Sequence, residues 1–195
     1  MKDYLTILRP LNGVMSMVAV WIGTIVAGAG YEPTINTIMG AVSVFLISGG
    51  GMAINDYYDV EIDKTNKPHR PLPSGRMSKS VALGYSIALM IVGIALAYII
   101  NIETFVTAMV ASALLVAYAA WVKKTMLMGN LAVSGLVALT FLYGGMIYGN
   151  YVILLPLALL AFLSNVGREI YKTVDDAIGD QKYNVNSVAI RLGVI

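Results

Sequence analysis

Cysteine is missing from this chain of 195 residues, and histidine occurs once, at His69. Without cysteine there is no disulfide, no thiolate-held zinc or iron–sulfur centre and no thiol nucleophile. With one histidine there is no Ser–His–Asp triad and no histidine metal set, and His69, between Pro68 and Arg70, is expected to have a loop role or none. Charge is scarce as well. Asp, Glu, Lys and Arg make up 12% of the residues, against about 25% in soluble globular chains. These absences exclude a disordered tail and a nucleic-acid binder. Hydrophobic residues fill the space, at 58%. A soluble domain of this length cannot hide that much apolar surface, so a soluble enzyme is excluded too.

The apolar residues fall into six runs, at about residues 11–29, 35–54, 81–100, 105–122, 131–148 and 152–166. All but the last, which is short, have the length a membrane-crossing helix needs. The first follows Lys2 and Arg9 as a signal peptide would, but it is too long for a cleaved hydrophobic core and five more runs follow. The expected fold is all-α, a polytopic membrane helical bundle.

The 13 basic residues are divided without exception. Lys2 and Arg9 precede the first run. Lys64, Lys67, Arg70, Arg76 and Lys79 follow the second. Lys123 and Lys124 follow the fourth, and Arg168, Lys172, Lys182 and Arg191 follow the sixth. The connections on the opposite side carry none. Basic loops stay in the cytoplasm, so a multi-pass protein of the cell membrane is expected, with its N-terminus and both polar segments cytoplasmic. The same residues suit contact with membrane lipid head groups.

Nine of the 11 acids share that side; only Glu32 and Glu103 lie opposite. Asn55-Asp56-Tyr57-Tyr58-Asp59-Val60-Glu61-Ile62-Asp63 ends the second run. If the helix continues, Asp56, Asp59 and Asp63 fall within about 60° of one another while Glu61 points away. Like charges on one stripe repel, so compensating positive charge is expected. The competing reading is a solvated acidic loop. A second segment, Arg168 to Asp180, places Glu169, Lys172, Asp176 and Asp180 on one face within about 80°. Ordinary surface pairs of Lys172 with Glu169 or Asp176 compete with a functional reading there, and Gly179 is able to end the helix before Asp180.

Two carboxylate stripes at one membrane face suit Mg²⁺, a hard ion that bridges to substrate phosphates. Lys67, Arg70, Lys123, Lys172 and Arg9 are the candidates for the remaining phosphate oxygens. Such a site, at the mouth of an apolar cavity, fits a diphosphate with a hydrocarbon tail. The expected chemistry is ionisation of an allylic diphosphate. Tyr57, Tyr58, Tyr118, Tyr143, Tyr148 and Tyr171 are available to face a carbocation, with Tyr148 on the far side and expected in the interfacial belt. Gly49-Gly50-Gly51 lies under the acids and is expected to let a substrate tail approach. Gly144-Gly145 is expected to mark helix packing.

These residues carry a resemblance. Asn55-Asp56-x-x-Asp59-x-x-x-Asp63 followed by Lys67-Pro68-His69-Arg70-Pro71-Leu72-Pro73-Ser74-Gly75 resembles the first signature of the UbiA superfamily of intramembrane prenyltransferases. Asp176-x-x-x-Asp180 resembles its second acidic motif, and Arg9-Pro10 and Tyr118-x-x-x-x-Lys123-Lys124-Thr125 also match. The resemblance implies one transmembrane prenyltransferase domain over residues 1–195, with catalytic segments at about 55–76 and 168–187. It implies that Asn55, Asp56, Asp59, Asp63, Asp176 and Asp180 form the Mg²⁺–diphosphate site, assisted by Arg70, Lys123 and Lys172. Arg168-Glu169-Ile170-x-Lys172-x-x-x-Asp176-x-x-Gly179-Asp180, with Gly129-Asn130, is similar to the archaeal ether-lipid branch. That similarity implies geranylgeranyl diphosphate as donor and the lipid geranylgeranylglyceryl phosphate as acceptor. An aromatic acceptor, as in quinone, haem or chlorophyll side-chain attachment, is the alternative.

Superfamily members generally have about three more helices, so the C-terminal part of the fold is expected to be missing. CDP-alcohol phosphotransferases also pair six spans with aspartates, but their Asp-Gly and Ala-Arg pattern is absent. A cation-coupled transporter would carry its acids near the bilayer midplane, and here they cluster at one interface.

Overall fold

The computed structural model describes residues 2–125 and 127–175; Asp176 and Asp180 lie outside the described residues. The described chain is helical, with no strand among its residues. α1 (Lys2–Leu8) is short. The bundle consists of α2 (Pro10–Thr24, prolonged by a wider turn at Ile25–Ala29), α3 (Ile35–Tyr58), α5 (Lys79–Ile100), α6 (Ile102–Ala120), α7 (Met128–Met146) and α8 (Leu155–Asp175). α4 (Val60–Asn66) is a short extension beyond α3. Six segments are long and apolar enough to cross a membrane, from Pro10–Ala29 to Val152–Lys172, matching the six apolar runs.

Local chemistry sets the helix starts. Thr34, Ser78 and Asn101 are N-caps whose side-chain oxygens accept from the backbone N–H groups of Thr37, Val81 and Thr104. Each satisfies an N–H that has no partner within its helix. Asn101 also ends α5, so α5 and α6 turn on a single residue.

α3 is the central helix. In its most apolar stretch 56% of residues are buried, against 22–28% in the other five spans, whose outer faces are left for lipid. It packs most extensively on α5 and also on α2 and α6, while α7 joins α2 to α8. Lipid is as apolar as leucine, so close packing by small residues draws membrane helices together. A Cβ at Gly144 would collide with the Val20 carbonyl oxygen, and one at Gly23 with that of Phe141. This bears out the packing role expected for Gly144-Gly145. Between α3 and α5, Ser43 Oγ donates to the Gly93 carbonyl at 2.7 Å and Ser86 Oγ to that of Gly50 at 2.8 Å.

Two expectations change. Gly49-Gly50-Gly51 does not open a path for a substrate tail: Cβ atoms there would meet Leu8, Met90 and Leu115, three side chains already packed on those faces. The sixth span does not stop near residue 166 but runs to Lys172. Its polar residues Asn165 and Glu169 are buried, so they interrupt the hydropathy without presenting polar groups to lipid.

The end of the bundle without basic residues, which carries Glu32 and Glu103, is closed by neutral hydrogen bonds. The Tyr148 hydroxyl pairs with the hydroxyls of Thr34 and Thr37, which gives it a structural role besides any place in a belt. Asn101 Nδ2 donates to the Met146 carbonyl at 2.9 Å, and Asn150 Nδ2 to that of Ala27 at 3.1 Å.

Candidate diphosphate and metal site

The opposite end is built from charges. α3 carries Asn55 and Asp56 in its last turn, Asp59 is the junction (φ −91°, ψ 3°), and α4 carries Asp63. Backbone hydrogen bonds from Asp59 N to Asn55 O (3.0 Å) and from Asp63 N to Asp59 O (2.8 Å) carry helical pairing across the junction. The three aspartates therefore stay together although one helix has become two. Asp56 and Asp63 are 2% and 4% exposed. A carboxylate buried that far must be paired, and each is. Arg70 Nη1 bridges Asp56 Oδ1 at 3.1 Å and Asp63 Oδ2 at 2.5 Å. Arg9 Nη2 meets Asp56 Oδ1 at 2.5 Å, and its Nη1 donates to Met52 Sδ. Lys123 Nζ pairs with Asp59 Oδ1 and lies 3.5 Å from Asn55 Oδ1, while Asn55 Nδ2 donates to Asp59 Oδ2 at 2.9 Å. The compensating charge expected from the acid stripe is thus Arg9, Arg70 and Lys123. Glu61 points away as expected. It is exposed and paired with Lys64 at 2.8 Å, whose ammonium holds its carboxyl below the ordinary range.

Arg70 is held by a folded loop. Pro71, Leu72 and Met77 are buried, Gly75 turns at φ +73°, and Met77 N donates to Pro71 O at 3.1 Å. Arg76 fixes the outside of this loop through Asp3 and the His69 carbonyl, both at 2.8 Å, so His69 serves through its backbone. Arg9 has φ +49° and is the described non-glycine residue with positive φ. That region costs roughly 1–2 kcal/mol for an L-residue. It is sustained where the guanidinium is tied to Asp56 and Pro10 begins α2.

Not every candidate joins this network. Lys67 is exposed at the end of α4 and forms no ion pair with the acids among the described residues. Lys172 pairs with Glu169 of its own helix at 3.1 Å, the i, i+3 pairing expected there, although Glu169 itself is buried. Tyr143 is buried against Ser43 at 3.2 Å, twelve residues or about 18 Å of helix from Asn55. Tyr171 is 72% exposed. Tyr118, from α6, lies within electrostatic reach of both Asp59 and Glu169. Sequence reasoning did not single out Asn165 or Ser134, nor the burial of Glu169. The available signal was spacing: Asn130 and Ser134, like Asn165 and Glu169, are i, i+4 polar pairs inside apolar spans, and such residues face partners rather than lipid.

For a metal, the donors are right. Asn55, Asp56, Asp59 and Asp63 offer hard oxygens, and the Lys123 ammonium already lies against oxygens of Asn55 and Asp59. No three acidic or histidine side chains converge on one point among the described residues, so these residues do not by themselves make a complete coordination set.

A bundle of membrane-length helices with a buried aspartate and arginine cluster at one end is an intramembrane architecture whose charged end suits a charged head group. The chain belongs to the UbiA prenyltransferase family, whose family model matches residues 16–194. It is similar to a digeranylgeranylglyceryl phosphate synthase of Methanosphaera stadtmanae, 38% identical over 193 residues, covering 99% of this chain and 70% of the relative. A solved digeranylgeranylglyceryl phosphate synthase is 34% identical, with a TM-score of 0.87 over 97% of this chain and 68% of that one. A UbiA homologue from Archaeoglobus fulgidus, solved with GPP and Mg²⁺ bound, shares the fold at 23% identity and a TM-score of 0.75, over 98% and 69% of the two chains.

Proposed function

We propose that the protein transfers a geranylgeranyl group from its diphosphate to the hydroxyl of geranylgeranylglyceryl phosphate, making an archaeal ether-lipid precursor. The observation that carries the reading is the convergence of Arg9, Arg70 and Lys123 on Asp56, Asp59 and Asp63 at one end of a membrane bundle. The similarity to digeranylgeranylglyceryl phosphate synthases supports the choice of substrates.

Asn55, Asp56, Asp59 and Asp63, with Asp176 and Asp180 from the second motif, would hold Mg²⁺. When bound, it supplies positive charge to the leaving diphosphate. The chain's own cations do the same work. Arg70, Arg9 and Lys123 each have further N–H donors, which suit phosphate oxygens. Lys67 and Lys172, both exposed, serve at the rim. As the bond from the prenyl carbon to diphosphate breaks, its electron pair leaves with the diphosphate, and fixed positive charge favours that departure. Tyr118 offers an aromatic face to the allylic cation. The distribution of all 13 basic residues supports a cytoplasmic site and N-terminus.

The test is transfer of label from geranylgeranyl diphosphate to a panel of glycerol lipids and aromatic acids by the purified protein. Labelled glycerol phosphate lipid, formed with Mg²⁺ and not with EDTA, is the expected result. Transfer to an aromatic acid alone would move the protein to the aromatic branch, and transfer that persists in EDTA would overturn the metal site.

A further inference from the structure

α7 and α8 meet along a polar seam beside the acid site. Asn165 of α8 is 8% exposed. Its Nδ2 donates to Ser134 Oγ of α7 at 3.1 Å, and Ser134 Oγ donates to the Asn130 carbonyl at 2.7 Å. One turn nearer the charged end, Asn130 Nδ2 is buried and meets no partner among the described residues. One turn further along α8, Glu169 is 8% exposed, and it is the buried carboxylate of the described chain that lies outside the Asp56–Asp63 segment. Its Oε2 accepts from Lys172 at 3.1 Å. Arg168 approaches Asn165 Oδ1 at 3.5 Å and Glu169 Oε1 at 3.6 Å, long contacts, and its side chain is 69% exposed.

The seam adjoins the acid site on two sides. Gly129 is so close to Lys123 that a Cβ there would lie 3.2 Å from the Lys123 Cα. Tyr118 of α6 lies within electrostatic range of both Asp59 and Glu169. Glu169 stands apart from the cations that hold Asp56, Asp59 and Asp63, its partners being Lys172 and, at longer range, Arg168. A buried carboxylate so placed suits a hydroxyl that must lose a proton.

We propose that this seam is the acceptor subsite, a reading that rests on the function proposed above. Glu169 takes the proton of the acceptor hydroxyl, and Arg168, with donors to spare, meets the acceptor's phosphate. In the step, the acceptor oxygen forms a bond to the prenyl carbon, the bond from that carbon to diphosphate breaks with its electrons leaving on the diphosphate, and the hydroxyl proton passes to a Glu169 carboxylate oxygen. Asn165 and Ser134 position Arg168 and the α7 wall.

Two variants separate the roles. Glu169→Gln keeps the shape and is expected to slow transfer by about 100-fold while metal-dependent binding of geranylgeranyl diphosphate is unchanged. Glu169→Ala should regain part of its rate with added formate, a response that a merely structural carboxylate would not give. Transfer by Glu169→Gln within about threefold of the parent rate, or no formate response, overturns the proton-acceptor role. Arg168→Gln is expected to raise KM for geranylgeranylglyceryl phosphate by about tenfold or more, with little change for unphosphorylated geranylgeranylglycerol. Equal losses on both acceptors overturn the phosphate contact. If the unaltered protein binds donor yet labels neither glycerol lipid, the proposed function has failed rather than the assignment of this seam.

Discussion

The two ends of the bundle solve the same problem with different chemistry. Both must satisfy polar groups where helices stop and chains turn. At the end without basic residues, neutral side chains do so: Thr34 and Asn101 cap helices, and Tyr148, Asn101 and Asn150 tie one connection to the next. At the charged end, three buried or half-buried aspartates are held by three cations. A neutral hydrogen bond contributes about 1 kcal/mol with no desolvated charge. Burying ion pairs instead carries a desolvation cost that mutual attraction offsets only in good geometry. An arrangement that costly is poorly explained by stability, and the charged end is where a charged substrate would bind.

That contrast is open to test. The largest effect is expected for Asp56→Asn, which should reduce prenyl transfer by about 10³-fold in protein that still purifies as a folded species; EDTA should abolish transfer in the parent. Near-normal turnover in this variant would mean that the buried acids are scaffold. Arg70→Met comes next. It strips the bridging cation from Asp56 and Asp63, and thermal unfolding in detergent should show a loss of about 3–5 kcal/mol along with reduced transfer. At the other end, Asn101→Ala should cost about 1–2 kcal/mol, read from the same melts, while transfer per folded molecule stays at the parent level. A fall in specific activity there would break the division between the ends. The smallest effect belongs to Glu61. Its folded carboxyl titrates below the ordinary range because of Lys64, so its contribution is complete above the unfolded carboxylate range and is lost as pH falls through the lowered folded value. Both partners are well exposed, so salt should erase the dependence, and Glu61→Gln should leave transfer unchanged.

The fold was largely legible, because six apolar runs separated by one-sided charge leave few alternatives to a bundle. The ends of the spans were less so. α3 runs on to Tyr58 because Asp56 is paired inside the protein, and α8 runs on past residue 166 because Asn165 and Glu169 face the interior. Hydropathy reads both as departures from the membrane. The first acid cluster was visible in its spacing, as was its need for cations, but the choice of partners was not. Arg9 reaches Asp56 across 47 positions and Lys123 reaches Asp59 across 64, distances that no local pattern encodes. Lys67 resembled Arg70 in sequence, and only the packing of Pro71, Leu72 and Met77 turns one inward and leaves the other exposed. The i, i+4 spacing of Asn165 and Glu169 pointed to an inward face, but that α7 is the helix they meet was beyond periodicity.

The loop after α4 has a consequence for how this protein tolerates change. Surface loops usually accept insertions and deletions with little loss. This one links α4 to α5 at the edge of the bundle, yet Arg70 must reach back 14 positions to Asp56 and 7 to Asp63. Its prolines and buried Leu72 and Met77 fix that reach. Adding or removing one residue between Asp63 and Arg70 would move the guanidinium off both carboxylates at once. Natural length variation should therefore concentrate in the turns at the other end, and a polar, proline-rich connection here should behave with the rigidity of core.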